Sequence, residues 1–463
     1  MEQPAPPAWN RKLALLVACT MFMEILDGNI LVTAAPQMGR DFGVTSAQMG
    51  LAITAYLITV ATFIPVGGWL VSRFGARRVF CTAIVLFTLA SVLCAASPGF
   101  GVLVAGRILQ GLGGAMMVPV GQLVVLRATD KADLMRAIAY ITWPALLAPV
   151  LAPVLGGVLT EYASWHWIFL LNVPLGAFAL VAALRLVQDR ETERRRLDLP
   201  GLVLVVLGVA GVLAGMELAT GARRPVVAVV VLALAAASLA LAVRWLLRAA
   251  EPLLDLRVFR VATFRVANSG GFVYRAVVNS VPFLLPLMFQ DGFGWSPVTA
   301  GLLVMAVFVG NVGIKPTTTP LMRRFGFRPV LLGSVGAGGL LIASFALLDP
   351  RTPVAVIAVL LVASGALRSI GFTAFNSLQF ADVEAPRMTS ANTLSSTVSQ
   401  LASGLGVAVA ALLLQAAAGA DGLPDGGLVR YQLAFVVMAA FTLLPLAGAL
   451  RLESGAAAHV AGR

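Results

Sequence analysis

Charge is what this sequence has least of. Asp, Glu, Lys and Arg make up 12% of 463 residues, against roughly 25% in an average soluble chain. His166 and His459 are its two histidines. No H-E-x-x-H, G-x-S-x-G or G-x-x-x-x-G-K-[ST] pattern occurs, so the motif-borne forms of zinc peptidase, serine hydrolase and ATP-driven chemistry are unsupported. No enzyme is expected. Cys19, Cys81 and Cys94 are odd in number and lie in apolar segments; small hydrophobes of this kind build neither a disulfide framework nor a metal site, and no cofactor is expected. What fills the chain instead is apolar: 59% hydrophobic residues, with a mean hydropathy of +0.92. So few charges cannot clothe this length in water. The solvent is a bilayer. Secretion and cytosolic catalysis fall away, and so does a nucleic-acid partner: the net charge of +12 is scattered over short loops with little aromatic interleaving.

A span needs ~20 mostly apolar residues, because a helix rises ~1.5 Å per residue through a ~30 Å core. Fourteen such segments are expected: 13–35, 48–72, 79–98, 102–126, 136–160, 166–187, 199–219, 225–247, 264–290, 298–321, 328–348, 353–375, 391–416 and 428–450. Their richness in Leu, Val, Ala and Gly argues helices; a barrel would show short alternating segments. With both termini in the cytoplasm, Arg73, Arg77, Arg78, Arg194, Arg195, Arg196, Arg323, Arg324 and Arg328 fall inside. Only Arg40, Arg223, Arg224, Arg351 and Arg430 fall outside. That is the positive-inside bias. Glu24 and Asp27 interrupt the apolar run after Arg11 and Lys12, so the first segment reads as a retained helix rather than a cleaved signal peptide.

The stretch Leu70-Val-Ser-Arg73-Phe74-Gly75-Ala-Arg77-Arg78-Val79 returns as Leu321-Met-Arg-Arg324-Phe325-Gly326-Phe-Arg328-Pro-Val330. Each copy sits on the cytoplasmic side between the second and third spans of a six-span block. Two copies on one side imply a parallel repeat. The expected fold is an all-α polytopic membrane protein of two six-helix bundles with two extra helices between them. Its expected parts are 1–187, an inserted linker pair at 188–263, 264–450 and a cytoplasmic tail at 451–463. Such a repeat builds a cleft whose access alternates as one half rocks against the other. Pro144, Pro149 and Pro153, before Gly156 and Gly157, and Pro282 and Pro286 remove helix hydrogen bonds; they signal either moving parts or kinked packing.

An ionisable side chain at mid-bilayer costs at least ~2.5–3.5 kcal/mol, which makes it a functional candidate. Six qualify: Glu24, Asp27, Arg107, Arg275, Lys315 and Arg368. Five fall on the first or fourth span of a half; Lys315 lies near a cytoplasmic end and is expected to snorkel. Asp27 and Arg107 both lie ~21 Å from the cytoplasmic surface, so they are able to meet. Asp27 is the candidate proton carrier, its charge tuned by Arg107, with Glu24 sharing or replacing the role; a static ion pair is the alternative. Gln110, Asn279 and Asn376 follow the same faces at helical spacing, and Phe372 and Phe375 flank the last of them. With Asn29, Arg275 and Arg368 they mark the candidate substrate cavity. His166, between Trp165 and Trp167, is expected to anchor at the interface.

Several stretches resemble the major facilitator superfamily, specifically its fourteen-span drug:proton antiporter branch. Leu26-Asp27-Gly-Asn29-Ile-Leu-Val-Thr33-Ala-Ala-Pro36 is similar to the first-helix motif with its embedded Asp. Gly68-Trp-Leu70-Val-Ser72-Arg73-Phe-Gly75-Ala-Arg77-Arg78 resembles the cytoplasmic gating loop, with Ser72 where the family normally has Asp. Leu103-Val-Ala-Gly-Arg107-Ile-Leu-Gln110-Gly111-Leu-Gly113-Gly114-Ala115 matches the fourth-helix motif, whose Arg the family implicates in proton transfer. Ala148-Pro-Val-Leu-Ala152-Pro153-Val-Leu-Gly156-Gly157 resembles the antiporter motif with two glycines replaced by alanine. Ser164-Trp165-His166-Trp167-Ile168-Phe169, continuing to Asn172-Val-Pro174-Leu-Gly176, is specific to the branch. The resemblance implies proton-coupled multidrug-type efflux by alternating access, from a monomer in a bacterial inner membrane. The partners are then a small-molecule substrate, protons and the lipid bilayer. Three deep arginines against at most two acids leave organic anions or metal chelates as the alternative cargo.

Overall fold

The computed structural model describes residues 10–44, 46–130, 133–188, 196–220, 225–418 and 427–452. Arg194, Arg195, Arg223, Arg224 and the tail from 453 lie outside the described residues. The rest is helix joined by short turns, without a strand among the described residues. The cause is the solvent: inside lipid every backbone N–H and C=O must be satisfied within its own segment.

The helices are α1 (Arg11–Phe42), α2 (Ser46–Phe74), α3 (Ala76–Ala95), α4 (Phe100–Arg127), α5 (Leu134–Tyr162), α6 (His166–Leu170), α7 (Asn172–Leu186), α8 (Leu199–Thr220) and α9 (Pro225–Arg248). There follow α10 (Ala262–Leu287), α11 (Pro297–Gly313), α12 (Lys315–Phe325), α13 (Phe327–Ser344), α14 (Val354–Ala381), α15 (Met388–Ala418), α16 (Leu428–Phe441) and α17 (Leu443–Leu450). Every expected segment falls on helix. Twelve helices among the described residues are long and apolar enough to cross a membrane, and the broken pair α11–α12, bent by 50°, makes a thirteenth. The remaining expected segment is the unbroken 29-residue α5, several of whose side chains, Pro144 and Pro153 included, are outside the described set.

Local signals set the ends. The Asn10 side chain accepts from the Leu13 N–H and starts α1, and Gly43 in the left-handed region (φ 65°) ends it. Ser296 caps α11 with Pro297 in its first turn. The duplicated loop takes the same form twice. Gly75 (φ 87°) is the single residue joining α2 to α3, and Gly326 (φ 84°) alone joins α12 to α13. A side chain at either would be strained, which is why the repeat keeps glycine there. α10 runs through Pro282 and Pro286 and then relaxes into a π turn, Met288–Gly292.

Two compact units divide the chain. One comprises Met1–Ala210, Ala235–Leu256 and Ala385–Thr397; the other comprises Gly211–Leu234, Arg257–Glu384 and Val398–Arg463. In the first, α1 packs along α5, with Ala148 and Ala152 fully buried against Leu26, Ile30 and Ala34. Trp165 is buried there too, donating its indole N–H to Asp41 at 2.6 Å and stacking on His166, while Trp167 is exposed. In the second, Val277, Leu284, Phe289, Phe345, Ile357 and Phe435 belong to one apolar cluster.

Glycine sets the closest approach in the second unit. A Cβ at Gly365 would lie 1.8 Å from the Val307 carbonyl oxygen, and one at Gly310 1.9 Å from that of Val362. Backbone cannot yield as a side chain does, so Gly365→Leu is expected to cost roughly 1–3 kcal/mol or more. Gly333→Ala, where nothing lies within 4 Å, is expected to be neutral. Thermal unfolding in detergent separates the two.

Candidate functional site

In the first unit a carboxylate sits where water cannot answer it. Asp27, on α1, forms an ion pair with Arg107 of α4 at 2.5 Å, both side chains fully buried. Its second oxygen accepts from Gln110 Nε2 and from Asn172 Nδ2, each at 2.8 Å. Both amides also donate to Ser91 Oγ of α3, at 2.8 and 3.2 Å, and the Ser91 hydroxyl donates in turn to the Phe87 carbonyl. Arg107 donates to Gln110 Oε1 at 2.6 Å, and its guanidinium carbon lies 4.1 Å from the centre of the Tyr56 ring. Arg107, Gln110, Asn172, Ser91 and Tyr56 thus draw α2, α3, α4 and α7 around one charge of α1.

The fourth-helix glycines make the reach short. A Cβ at Gly111 would meet Thr59 and the Tyr56 carbonyl within 2.9 Å, and one at Gly113 the Phe87 N at 2.8 Å. α4 therefore lies close against both α2 and α3. Glu24 stands one turn from Asp27, with Oε2 buried and without a hydrogen-bond partner. Its Oε1 and the Tyr56 hydroxyl are each 3.3 Å from the point where a Gly114 Cβ would sit. Asn29 is not drawn in. It is exposed, and its amide returns to the Ile25 carbonyl; two residues along a helix is about 200° of turn from Asp27.

The second unit brings the expected residues together differently. Arg275 of α10 donates to Asn376 Oδ1 of α14 at 2.7 Å and lies 5.6 Å from the Phe372 ring centre. Arg368 of α14 donates to Asn279 Oδ1 of α10 at 3.1 Å, and Asn279 donates to Ser403 of α15. Two crossed Arg–Asn rungs result. No ion pair among the described residues involves either arginine. Phe375 is buried against Tyr274, which is packing.

Lys315 corrects an expectation. Instead of snorkelling, it is 8% exposed and donates to Thr373 Oγ1 of α14 at 2.9 Å. The chain bends by 50° just before it, where a new helix starts at Lys315.

In the gating loop, Gly68 approaches Thr393 so closely that a Cβ would lie 2.6 Å from its hydroxyl. Arg77 donates to the Leu184 carbonyl at 2.6 Å, satisfying a carbonyl in the last turn of α7. Arg73 and Arg78 are exposed. Sequence reasoning gave no role to Asn172, Ser91 or Tyr56. Asn172, at the start of α7 and inside the branch-specific stretch, was the one with a signal.

The sequence model of the Major Facilitator Superfamily matches residues 17–245 and 267–460. The chain belongs to that superfamily. It is 37% identical over 416 residues to the multidrug resistance protein MdtD of Pectobacterium atrosepticum, covering 89% of this chain and 88% of that one. Similar relatives of the same name come from Salmonella heidelberg (38% over 406 residues, covering 86% and 85%) and Serratia proteamaculans (36% over 400, covering 86% and 84%). The crystal structure of the human organic anion transporter MFSD10 shares the fold with a TM-score of 0.67 at 16% identity, over 96% of this chain and all of that one. The fold is accordingly the major facilitator fold, and the chain is a multi-pass membrane transporter.

Breaking a buried ion pair from one side strands a charge. Arg107→Gln is expected to destabilise the protein by about 3–5 kcal/mol. Asp27→Asn/Arg107→Gln together should cost clearly less than the sum of the single changes. Unfolding of all three variants in one detergent completes the cycle; additive costs would mean that the pair is not coupled.

Proposed function

We propose that this chain is a proton-coupled antiporter that exports small molecules, of the multidrug type, by alternating access. Its place is the bacterial inner membrane, as a monomer with both termini cytoplasmic. Residues 1–187 and 264–450 are the two halves, 188–263 the inserted pair and 451–463 the tail. The observation that carries the reading is the buried Asp27–Arg107 pair in its cage of Gln110, Asn172 and Ser91. The name of the MdtD relatives supports the multidrug class.

The chemistry follows from charge. A proton reaching Asp27 removes the negative charge that Arg107 answers. One oxygen becomes a hydroxyl and no longer accepts in the same way, so the donors of α4 and α7 lose part of their hold on α1. Release of the proton restores the pair. Binding of substrate and proton at different stages of that exchange couples export to the inward proton gradient. Glu24, beside Tyr56 and without a partner on Oε2, is a second carboxylate available to the same path. Arg275, Asn279, Arg368, Phe372 and Asn376 are the candidate substrate contacts of the second half; of those in the first, Gln110 is taken up by the Asp27 cage and Asn29 is an exposed amide on α1. The loop of Gly68, Arg73, Gly75, Arg77 and Arg78 steadies the cytoplasmic gate. Arg275 and Arg368, with no carboxylate in ion-pair range among the described residues, are the one feature that would favour an anionic cargo instead.

Reconstituted protein with an imposed pH gradient tests this. Asp27→Asn is expected to abolish gradient-driven export while counterflow of unlabelled against labelled substrate continues. Undiminished gradient-driven export would remove Asp27 from the mechanism. Export confined to carboxylates or chelates, with silence toward cationic dyes, would reverse the order of cargoes.

A further inference from the structure

The inserted helices α8 and α9 are poorly covered by protein. Only 28% of the span Leu199–Met216 and 22% of the span Val226–Arg248 is buried, and the latter has a mean hydropathy of 2.9. They are joined within the membrane by a hydrogen bond from Ser238 Oγ to the Leu204 carbonyl at 2.8 Å. One turn farther along α9 the surface changes character. A groove of about 660 Å3 opens there, lined by Leu204, Leu241, Arg244, Trp245, Arg248 and Ala249.

Its lining is mostly apolar, from Leu204, Leu241, Trp245 and Ala249, with Arg244 and Arg248 as its cationic members. Arg244 and Arg248 are one helical turn apart, which sets their side chains on one face. Both are exposed, and neither takes part in an ion pair among the described residues. Asp198 and Glu251, two described acids near this end of the pair, bond to other groups. Asp198 accepts from the Trp245 indole N–H at 2.8 Å and from the Gly201 and Leu253 N–H groups. Glu251 accepts from the Arg196 N–H at 3.1 Å. Asp198 thereby fixes the Trp245 ring at the groove.

We propose that this groove is a binding site for one anionic phospholipid of the cytoplasmic leaflet. Arg244 and Arg248 bridge its phosphate, and its acyl chain lies along Leu204 and Leu241. Guanidinium forks match phosphate oxygens in pairs, and the phosphate is the ligand that an apolar groove with a cationic end complements. Trp245, apolar in body and polar at its tip, belongs at headgroup depth. The leaflet follows from the orientation proposed above; the site itself does not depend on the transport reading. A peripheral site of this kind would give the inserted pair a function its sparse protein contacts do not supply: to hold lipid against the bundle.

The competing account is that any exposed arginine attracts anionic lipid. Purified full-length protein, delipidated in detergent, would be titrated with phosphatidylglycerol and with phosphatidylethanolamine, and retained lipid counted by native mass spectrometry. Wild type is expected to retain one phosphatidylglycerol in preference to phosphatidylethanolamine. Arg244→Gln/Arg248→Gln should weaken that retention by roughly tenfold or more. Arg260→Gln/Arg265→Gln, an equal loss of exposed charge, should leave it unchanged. Should the first pair fail to insert, Arg248→Gln alone gives the same comparison with a smaller loss. Equal retention of the two lipids by wild type, or equal loss in both double variants, overturns the site.

Discussion

A carboxylate inside a bilayer-spanning helix has no water to stabilise it, and the way Asp27 is stabilised organises the first unit. The cost of carrying two charges out of water is several kcal/mol per ion, offset only when geometry is good and the remaining lone pairs are filled. Both Asp27 oxygens are engaged, by Arg107 on one and by Gln110 and Asn172 on the other, while Arg107 keeps Nε and Nη2 buried without a hydrogen-bond partner. Short side chains achieve this only if the helices carrying them come close. Gly111 and Gly113 let α4 approach α2 and α3 to backbone contact distance. The glycines of the motif and the charge of the neighbouring helix are thus one requirement seen twice. Ion pair, amide cage and close helix packing stand or fall together.

The helices were legible because lipid leaves little choice. Hydropathy over ~20 residues was enough to place every expected segment on helix. The duplicated loop was legible too, and Gly75 and Gly326 repeat its backbone form as well as its letters. Depth along a helix gave Asp27 and Arg107 the same level, since rise per residue is fixed. Azimuth was harder. Asn29 shares a motif with Asp27 yet points away from it, and Asn279 and Asn376 each bond the arginine of the opposite helix rather than their own.

What escaped the sequence was whatever depends on a bend or on a common residue in a particular place. A serine such as Ser91 is ordinary in a membrane helix; only the fold sets it between two amides that hold Asp27. Tyr56 likewise becomes notable only when Arg107 lies over its ring. Lys315 was misplaced for a different reason. Its distance from the helix end is right for snorkelling, but the break at Ile314 redirects the chain, so length along the sequence stopped measuring depth.

The two units use the same positions to opposite ends. First and fourth spans meet through a charge in each, but the first unit joins Asp to Arg while the second joins Arg to Asn twice over. An Arg–Asn rung has no carboxylate to take up a proton, so its strength does not follow proton occupancy. An Asp–Arg pair has one, and so does. If a proton is to alter packing anywhere in this chain at mid-membrane, the first unit is where the change begins. Among the described residues, the side-chain hydrogen bonds that end on the Asp27 carboxylate come from α4 and α7. The duplicated architecture thus has helices that correspond and charges that differ: a carboxylate paired with Arg107 in one half, arginines paired with asparagines in the other.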